Sequence, residues 1–322
     1  MKKKNNQDTK VVRPQLGICE RFKRDMLLNW RLYLILIPGI VSLVLFKLFP
    51  VVNMVIAFQD FSAFKGITGS EWIGFENFRR MFSDSYMLTL ISNTLIIAIL
   101  SIVCVFPIPI VFALLLNEER STVIKNGVQS LSFLPYFISS AVMVSILSTM
   151  LNPSTGVINV IVRYFGGESV NYMARPEWFR PLYILLQIWQ TFGYNAIIYI
   201  AGITAINPEL YEAAEVDGCQ RWGKMWHVTL PGISTSIITM LIISIGQIFS
   251  VQTERIILMY NPSNAATADV IQSYVYRIAF DSFGFPDYSY GTAVNLIKSI
   301  IAFILVVIAN KLADKFAETR VF

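Results

Sequence analysis

The sequence predicts an all-α, polytopic membrane protein with about six transmembrane helices. Three observations predict it. Charged residues make up 15% of the 322-residue chain, where water-soluble domains average about a quarter. Apolar residues make up 55%. They gather into six runs, each close to the roughly 20 residues that a helix needs to cross hydrocarbon. A conventional water-soluble core is excluded. The formal net charge is +5, but the basic residues cluster at the N-terminus and between the apolar runs. They form no stripe interleaved with exposed aromatics, so nucleic-acid binding is not expected. Cys19, Cys104 and Cys219 lie far apart with no CxxC pair, and His227 is the only histidine. Neither a disulfide framework nor a metal site is implied.

Residues 1–31 read as a basic, polar tail, mobile as far as Trp30. The tail is too long and too charged for a signal-peptide n-region, and the apolar run after it exceeds a typical h-region, so it is expected to stay attached as an anchor. The runs fall near 32–58, 89–116, 129–150, 181–206, 232–251 and 290–310, which makes 32–310 the membrane domain and 311–322 a C-terminal tail. Pro38 and Pro50 in the first run, and Pro107 and Pro109 in the second, each remove a backbone donor and predict kinks. Between these runs Trp72, Phe75, Phe78 and Phe82 recur at helical spacing around Glu76, Arg79 and Arg80. They predict a short helix, either interfacial or packed on the neighbouring spans. After the third run, Asn152-Pro153 and Gly156 signal a turn, followed by an apolar stretch too short to span. A re-entrant or surface helix is expected there.

Lys and Arg number about nine in the N-terminal tail, about two in each of the loops 117–128 and 207–231, and about three in the C-terminal tail. The other side carries about eight over a greater length. The positive-inside tendency therefore places both termini and those two loops in the cytoplasm. Lys47 and Lys298, in or near apolar runs, are expected to snorkel to an interface.

The loop 207–231 carries the strongest local signals. Asn207 can cap a helix, Pro208 suits its first turn and Gly218 can end it in a left-handed conformation, giving about ten residues. Leu210, Ala213, Ala214 and Asp217 share a narrow, small-sided face flanked by Glu209 and Glu212. Taken singly, each carboxylate reads as a solvated helix face. His227 reads as packed or solvated rather than catalytic.

Glu212-Ala213-Ala214, then Gly218 after three residues, then Leu230-Pro231, resemble the EAA motif of bacterial ABC-importer permeases. Val228 replaces the family's Ile and Cys219 its Ala. The phrases WIGFENF, PIPIVFALLLNEER, LPYFIS, LNPSTGVIN and ADVIQSYVYR extend the resemblance over nearly the whole chain, toward the carbohydrate branch of that family. The resemblance implies a type I importer permease in a bacterial cell membrane. Glu212, Ala213, Ala214, Asp217, Gly218, Leu230 and Pro231 would then couple it to separate ATPases. It also implies the partners: a second homologous permease, two cytoplasmic ATPase subunits that hold ATP and Mg, and an extracellular solute-binding protein delivering a carbohydrate of oligosaccharide size. The chain has no GxxxxGK[ST] phosphate loop and is expected to bind no cofactor itself.

Polar side chains within spans mark cavities or serve as helix-to-helix glue. Gln187, Gln190 and Tyr194 are predicted to share one face of the fourth span, with Trp189 and Asn195 beside it. Amides and aromatic faces suit sugars. Gln247 and Asn295 are single amides on the fifth and sixth spans. Two rival readings remain open: a permease for peptides or amino acids, which the same loop would fit, and an ATP-independent secondary transporter. The second would be expected to show intramembrane carboxylates, and no Asp or Glu falls within the six runs. A membrane-bound enzyme would need a catalytic constellation at membrane depth, and none is seen.

Overall fold

The computed structural model describes residues 25–247, 252–281 and 286–317. Most of the predicted N-terminal tail, the end of the fifth run and residues 318–322 lie outside them. The chain divides into two compact units, Met1–Val55 and Ile56–Phe322.

In the first unit, α1 (Trp30–Leu43) continues through a π turn (Val44–Leu48) into the short helix Phe49–Val52. No residue of α1 is buried, and it is apolar on every side, as a helix solvated by lipid should be.

The second unit opens with a two-residue hairpin, β1 (Gln59–Asp60) pairing antiparallel with β2 (Glu71–Trp72). Helices α2 (Glu76–Ser83), α3 (Ser85–Leu100), α4 (Pro107–Asn117), α5 (Thr122–Phe133), α6 (Ser140–Met150) and α7 (Val157–Tyr164) follow. The long α8 (Pro176–Thr204), α9 (Pro208–Val216), α10 (Arg221–Lys224), α11 (Ser234–Gly246), α12 (Thr253–Met259), α13 (Ile271–Tyr276) and α14 (Tyr288–Ala317) complete it. Three stretches, 30–58, 85–117 and 288–311, are each long and apolar enough to cross a membrane. Two bent pairs, Thr122–Phe137 with Ser140–Met150 and Arg221–Gly232 with Ser234–Gly246, bring the number to as many as five. The fourth run lies on α8, whose 29 residues reach about 43 Å. Gln187, Gln190 and Asn195 make α8 less apolar than those stretches.

Two sequence expectations need correction. The third run is not one straight span: its two halves meet at 97°. Pro135 turns the chain and Ser139 starts a fresh helix by accepting from the Val142 N–H. The aromatic helix is also shorter than its spacing suggested. Trp72 lies in β2 and stacks on Phe58 at 5.7 Å, while within α2 Phe78 and Met81 are buried and Phe82 faces outward. A period of three or four is satisfied by a strand, a turn and a helix in succession, because what holds Trp72 is the Phe58 ring and not a helical ladder. The stretch after the third run forms α7 as a surface helix, fastened by fully buried Asn159, which donates to the carbonyls of Leu151, Asn152 and Val170.

The prolines act through a recurring device. The residue before Pro50, Pro107 and Pro231 donates its N–H five residues back: Phe49 to Val44, Phe106 to Ser101 and Leu230 to Met225. A proline ring clashes with the carbonyl four residues earlier, and a single wide turn moves that carbonyl aside. The predicted kink at Pro107 is thereby absorbed, and 85–117 runs as one helical stretch. Lys298 is also not free at an interface: it is half-buried and donates to Gln272.

Helix α8 joins two parts of the core. Phe179, Tyr183 and Leu186 pack with Met143, Ile256 and Met259. Ala196, Tyr199 and Ile203 pack with Ala113, Met225 and Ile233. Where α8 crosses α5 there is no room for a side chain, since a Cβ on Gly193 would stand 2.1 Å from the Ser132 carbonyl oxygen. Gly193→Ala should lower stability by on the order of 1–3 kcal/mol through overpacking, read as a lower melting temperature of the purified protein. Gly127→Ala on α5, with nothing within 4 Å of its new methyl, should not lower it. Equal melting temperatures for the two variants would refute the close crossing.

Candidate functional site

Two places gather the polar residues singled out from the sequence. The first is the loop 207–231. Asn207 caps α9 by accepting from the Glu209 N–H at 3.1 Å, Pro208 occupies the first turn, and Gly218 ends the helix at φ +80°. The Cys219 N–H closes the end on the Ala214 carbonyl at 2.9 Å. Of the predicted residues, Glu212, Ala213, Asp217 and Gly218 are exposed and Ala214 is half-exposed. No side chain of α9 is buried, and nine residues cannot hold a helix alone in water. Two tethers hold it. Tyr211 shares a hydrogen bond with buried Thr229 at 3.0 Å, and Lys224 Nζ donates to Glu215 at 2.6 Å. The Lys224 ammonium keeps the Glu215 carboxyl below the usual carboxylate range. Leu230 packs into the core around Met225 and Ile233, and Pro231 follows the π turn, so the loop is fixed to the helix that leads into α11. His227 is exposed, with Nδ1 2.9 Å from the Gly223 carbonyl. Sequence reasoning passed over Trp222 and Trp226, which are 66% and 60% exposed. Two tryptophans at helical spacing in a polar loop were the available signal. With Leu210 and Val216 they give the loop an uncovered apolar surface.

The second place is a cavity of about 220 Å³ between α3, α8 and α11. Its polar lining comes from Ser101, Gln187, Thr191, Asn195, Ser244, Gln247 and Gln252. Ser101 donates to Gln187 Oε1 at 3.0 Å, which turns the amide toward α3. Of the predicted pathway residues, Gln187, Asn195 and Gln247 come together here. Gln190, Tyr194, Trp189 and Asn295 do not line it. The predicted shared face of Gln187, Gln190 and Tyr194 is therefore split. The wall is the four-spaced ridge Tyr183, Gln187, Thr191 and Asn195. Tyr194 is held away from it in a parallel stack with Tyr136, ring centroids 3.8 Å apart, with Phe133 beside them. Trp189 is 42% exposed, and Asn195 rather than Tyr194 completes the ridge. Asn295 accepts from Ser299 through its main-chain carbonyl.

Gln190 has another task. It is buried, its amide nitrogen donates to the Ile138 carbonyl at 2.7 Å, and its oxygen accepts from Arg255 Nη2. Arg255 is fully buried and lies over the Tyr183 ring at 5.5 Å. In the sequence it shows only as the one cation of the stretch TERIILM. Outside the cavity, buried Asp269 receives Tyr86, Ser273 and Arg277, while Asn93 donates to the carbonyls of Ala266 and Asp269, pinning the segment before α13 to α3.

With the geometry in place, similarities to known proteins can be weighed. The family described as "Binding-protein-dependent transport system inner membrane component" matches residues 106–318. The chain is 43% identical to the polygalacturonan/rhamnogalacturonan transport system permease protein YteP of Bacillus subtilis (strain 168), over 90% of each chain. It is 27% identical to the arabinooligosaccharides transport system permease protein AraP of the same organism, over 88% of each. Among solved structures, a chain of a bacterial ABC transporter involved in importing the acidic polysaccharide alginate superposes with a TM-score of 0.85 at 36% identity. The superposition covers 92% of this chain and 99% of that one.

The two amides on neighbouring turns of α8 should respond differently to truncation. Gln190→Ala removes the acceptor of a buried guanidinium and the donor to a buried-side carbonyl, and should cost on the order of 2–3 kcal/mol. Gln187→Ala, at the cavity wall, should cost less than about 1 kcal/mol. Thermal unfolding of the two purified variants gives the comparison. The reverse order would contradict the assignment.

Proposed function

The chain belongs to the family of inner membrane components of binding-protein-dependent transport systems and is a carbohydrate-importer permease; we propose that it passes oligosaccharides through the cavity beside α8 when a separate ATPase grips α9. The observation that carries this reading is the state of α9 itself. It is a helix closed at both ends by caps, tethered by Tyr211 and Glu215, and without one buried side chain. Such an element has been made rigid without being used for packing, which is what a lever gripped by another polypeptide needs. When a partner's groove closes, a seated helix moves as a body and carries the attached elements with it. The exposed Trp222, Trp226, Leu210 and Val216 supply apolar contact, and the caps leave Glu212 and Asp217 free for polar contacts.

The energy has to come from the partner, since the chain carries no phosphate loop. Nucleotide and Mg bound by the partner would favour one of two arrangements of the permease by their differential affinity for the closed partner. On this reading the loop 207–231 and both termini face the bacterial cytoplasm. A solute-binding protein delivers the sugar from outside, and a second, homologous permease completes the path. The cavity is smaller than the 300–1,000 Å³ that enclose a whole drug-sized ligand. It suits one stretch of a threaded chain against one wall of a shared route. Its amides and hydroxyls match sugar hydroxyls. The named relatives carry both acidic and neutral glycans, polygalacturonan and alginate on one side and arabinooligosaccharides on the other.

The test is uptake by vesicles holding the complete importer. Oligosaccharide uptake should require nucleotide inside. Glu212→Lys should reduce it at least about tenfold, a loss of about 1.4 kcal/mol of coupling, while the variant still inserts and the ATPase still turns over. Uptake that continues without nucleotide, or a Glu212→Lys variant that transports normally, would overturn the proposal.

A further inference from the structure

Resting on that reading of the cavity as the sugar path, its charge surroundings indicate which sugars fit. Arg255 is 0% exposed. It lies between Tyr183 and Gln190, about 10–21 Å along α8 from its first residue. Among the described residues its one hydrogen bond goes to a neutral amide, and its Nε and Nη1 meet no hydrogen-bond partner. A second guanidinium stands one turn away toward the start of α8. Arg180 donates to Asn93 at 2.8 Å and leaves its buried Nε without a partner. Asn93 precedes the cavity residue Ile97 by one turn, and Arg180 precedes Tyr183 by three residues. Among the described residues no carboxylate oxygen lies within 4.0 Å of either arginine. Asp269 is engaged by Arg277, and Glu254, the exposed acidic neighbour of Arg255 in sequence, acts on it through space without a contact. The cavity lining contains no acidic residue.

Guanidinium groups keep their charge in every protein environment, and a buried charge without a counter-ion is costly. A neutral sugar path needs only amides, hydroxyls and rings, which this cavity already has. We propose that Arg255, supported by Arg180, makes the cavity selective for oligosaccharides that carry carboxylates. Arg255 acts as a positioning residue through its field. Arg255 does not line the cavity itself, but its guanidinium carbon lies 5.5 Å from the ring centroid of Tyr183, which does. A carboxylate on the far face of that ring would sit roughly 9–10 Å from the charge, where an effective dielectric near 20 still gives a preference on the order of tenfold. Low-dielectric walls of one sign concentrate such a field.

The experiment uses the assembled importer in nanodiscs without its solute-binding protein, so that the permease alone selects. Equilibrium binding of radiolabelled trigalacturonate is compared with that of the same trisaccharide after reduction of its carboxyls to alcohols. The wild-type complex should bind the acidic sugar about tenfold more tightly. Arg255→Gln should weaken the acidic sugar until that difference is lost, Arg255→Lys should restore part of it, and Arg180→Gln should reduce it. Equal binding of both sugars by the wild-type complex would overturn the proposal, and so would an Arg255→Gln complex that weakens both alike, which would mark a packing role. Should Arg255→Gln fail to assemble, the wild-type comparison and Arg180→Gln still decide. Binding of neither sugar would instead count against the oligosaccharide reading itself.

Discussion

Breaking a helix at membrane depth frees carbonyls that water cannot reach, and each must find a donor inside the protein. At the 97° turn between α5 and α6 the Ile138 carbonyl is met by the Gln190 amide at 2.7 Å. The same side chain accepts from Arg255, so one amide on α8 holds the bend on one side and α12 on the other. Gly193, three residues further along, lets α8 lie directly against the α5 backbone. Because these contacts converge within two turns of α8, the four-spaced ridge from Tyr183 to Asn195 is held at one rotation, and that rotation decides which amides see the cavity.

Parts of this were legible in the sequence because they depend on neighbours along the chain. Asn207, Pro208 and Gly218 specify the two ends of α9 by local hydrogen bonding and by the single positive φ, and each occupies the position its chemistry indicated. The apolar runs were legible for the same reason, since length and composition alone make a span. The bend at Ile138 was not, because its satisfaction comes from residue 190, far away in sequence. Trp72 reads as helical from its spacing, yet its place is set by stacking on Phe58.

The candidate cavity shows the same division. Residue type points to Gln187, Asn195 and Gln247, which line the cavity, while helical spacing also points to Gln190 and Tyr194, which do not. Spacings of three, four and seven all keep residues on one side of a helix, and periodicity cannot choose among ridges that differ by tens of degrees. The choice was made by competitors for the same side chains: Arg255 for Gln190 and the Tyr136 ring for Tyr194. The sequence offers Arg255 only as one cation in an apolar stretch between two spans, and its partners Gln190 and Tyr183 follow from the packing of α12 against α8.

The cavity and the exposed loop are joined by the shortest covalent path available. Helix α8 carries Gln187, Thr191 and Asn195 on the cavity and ends at Thr204, with three residues between it and α9. On the other side of the loop, α11 starts at Ser234 and carries Ser244 toward the same cavity, with Gln247 following directly. The bond between Tyr211 and Thr229 ties the two sides of the loop together. A displacement of α9 is thus delivered to both walls at once, and neither can yield alone without breaking that bond or the contact of Glu215 with Lys224. The third wall, Ser101 on the π turn between α3 and α4, meets Gln187 through its hydroxyl, and the α4 helix that follows it packs Ala113 against Met225 of the same loop. All three walls therefore trace back to the loop that carries α9, so on the proposed reading a displacement of that helix reaches the cavity from every side.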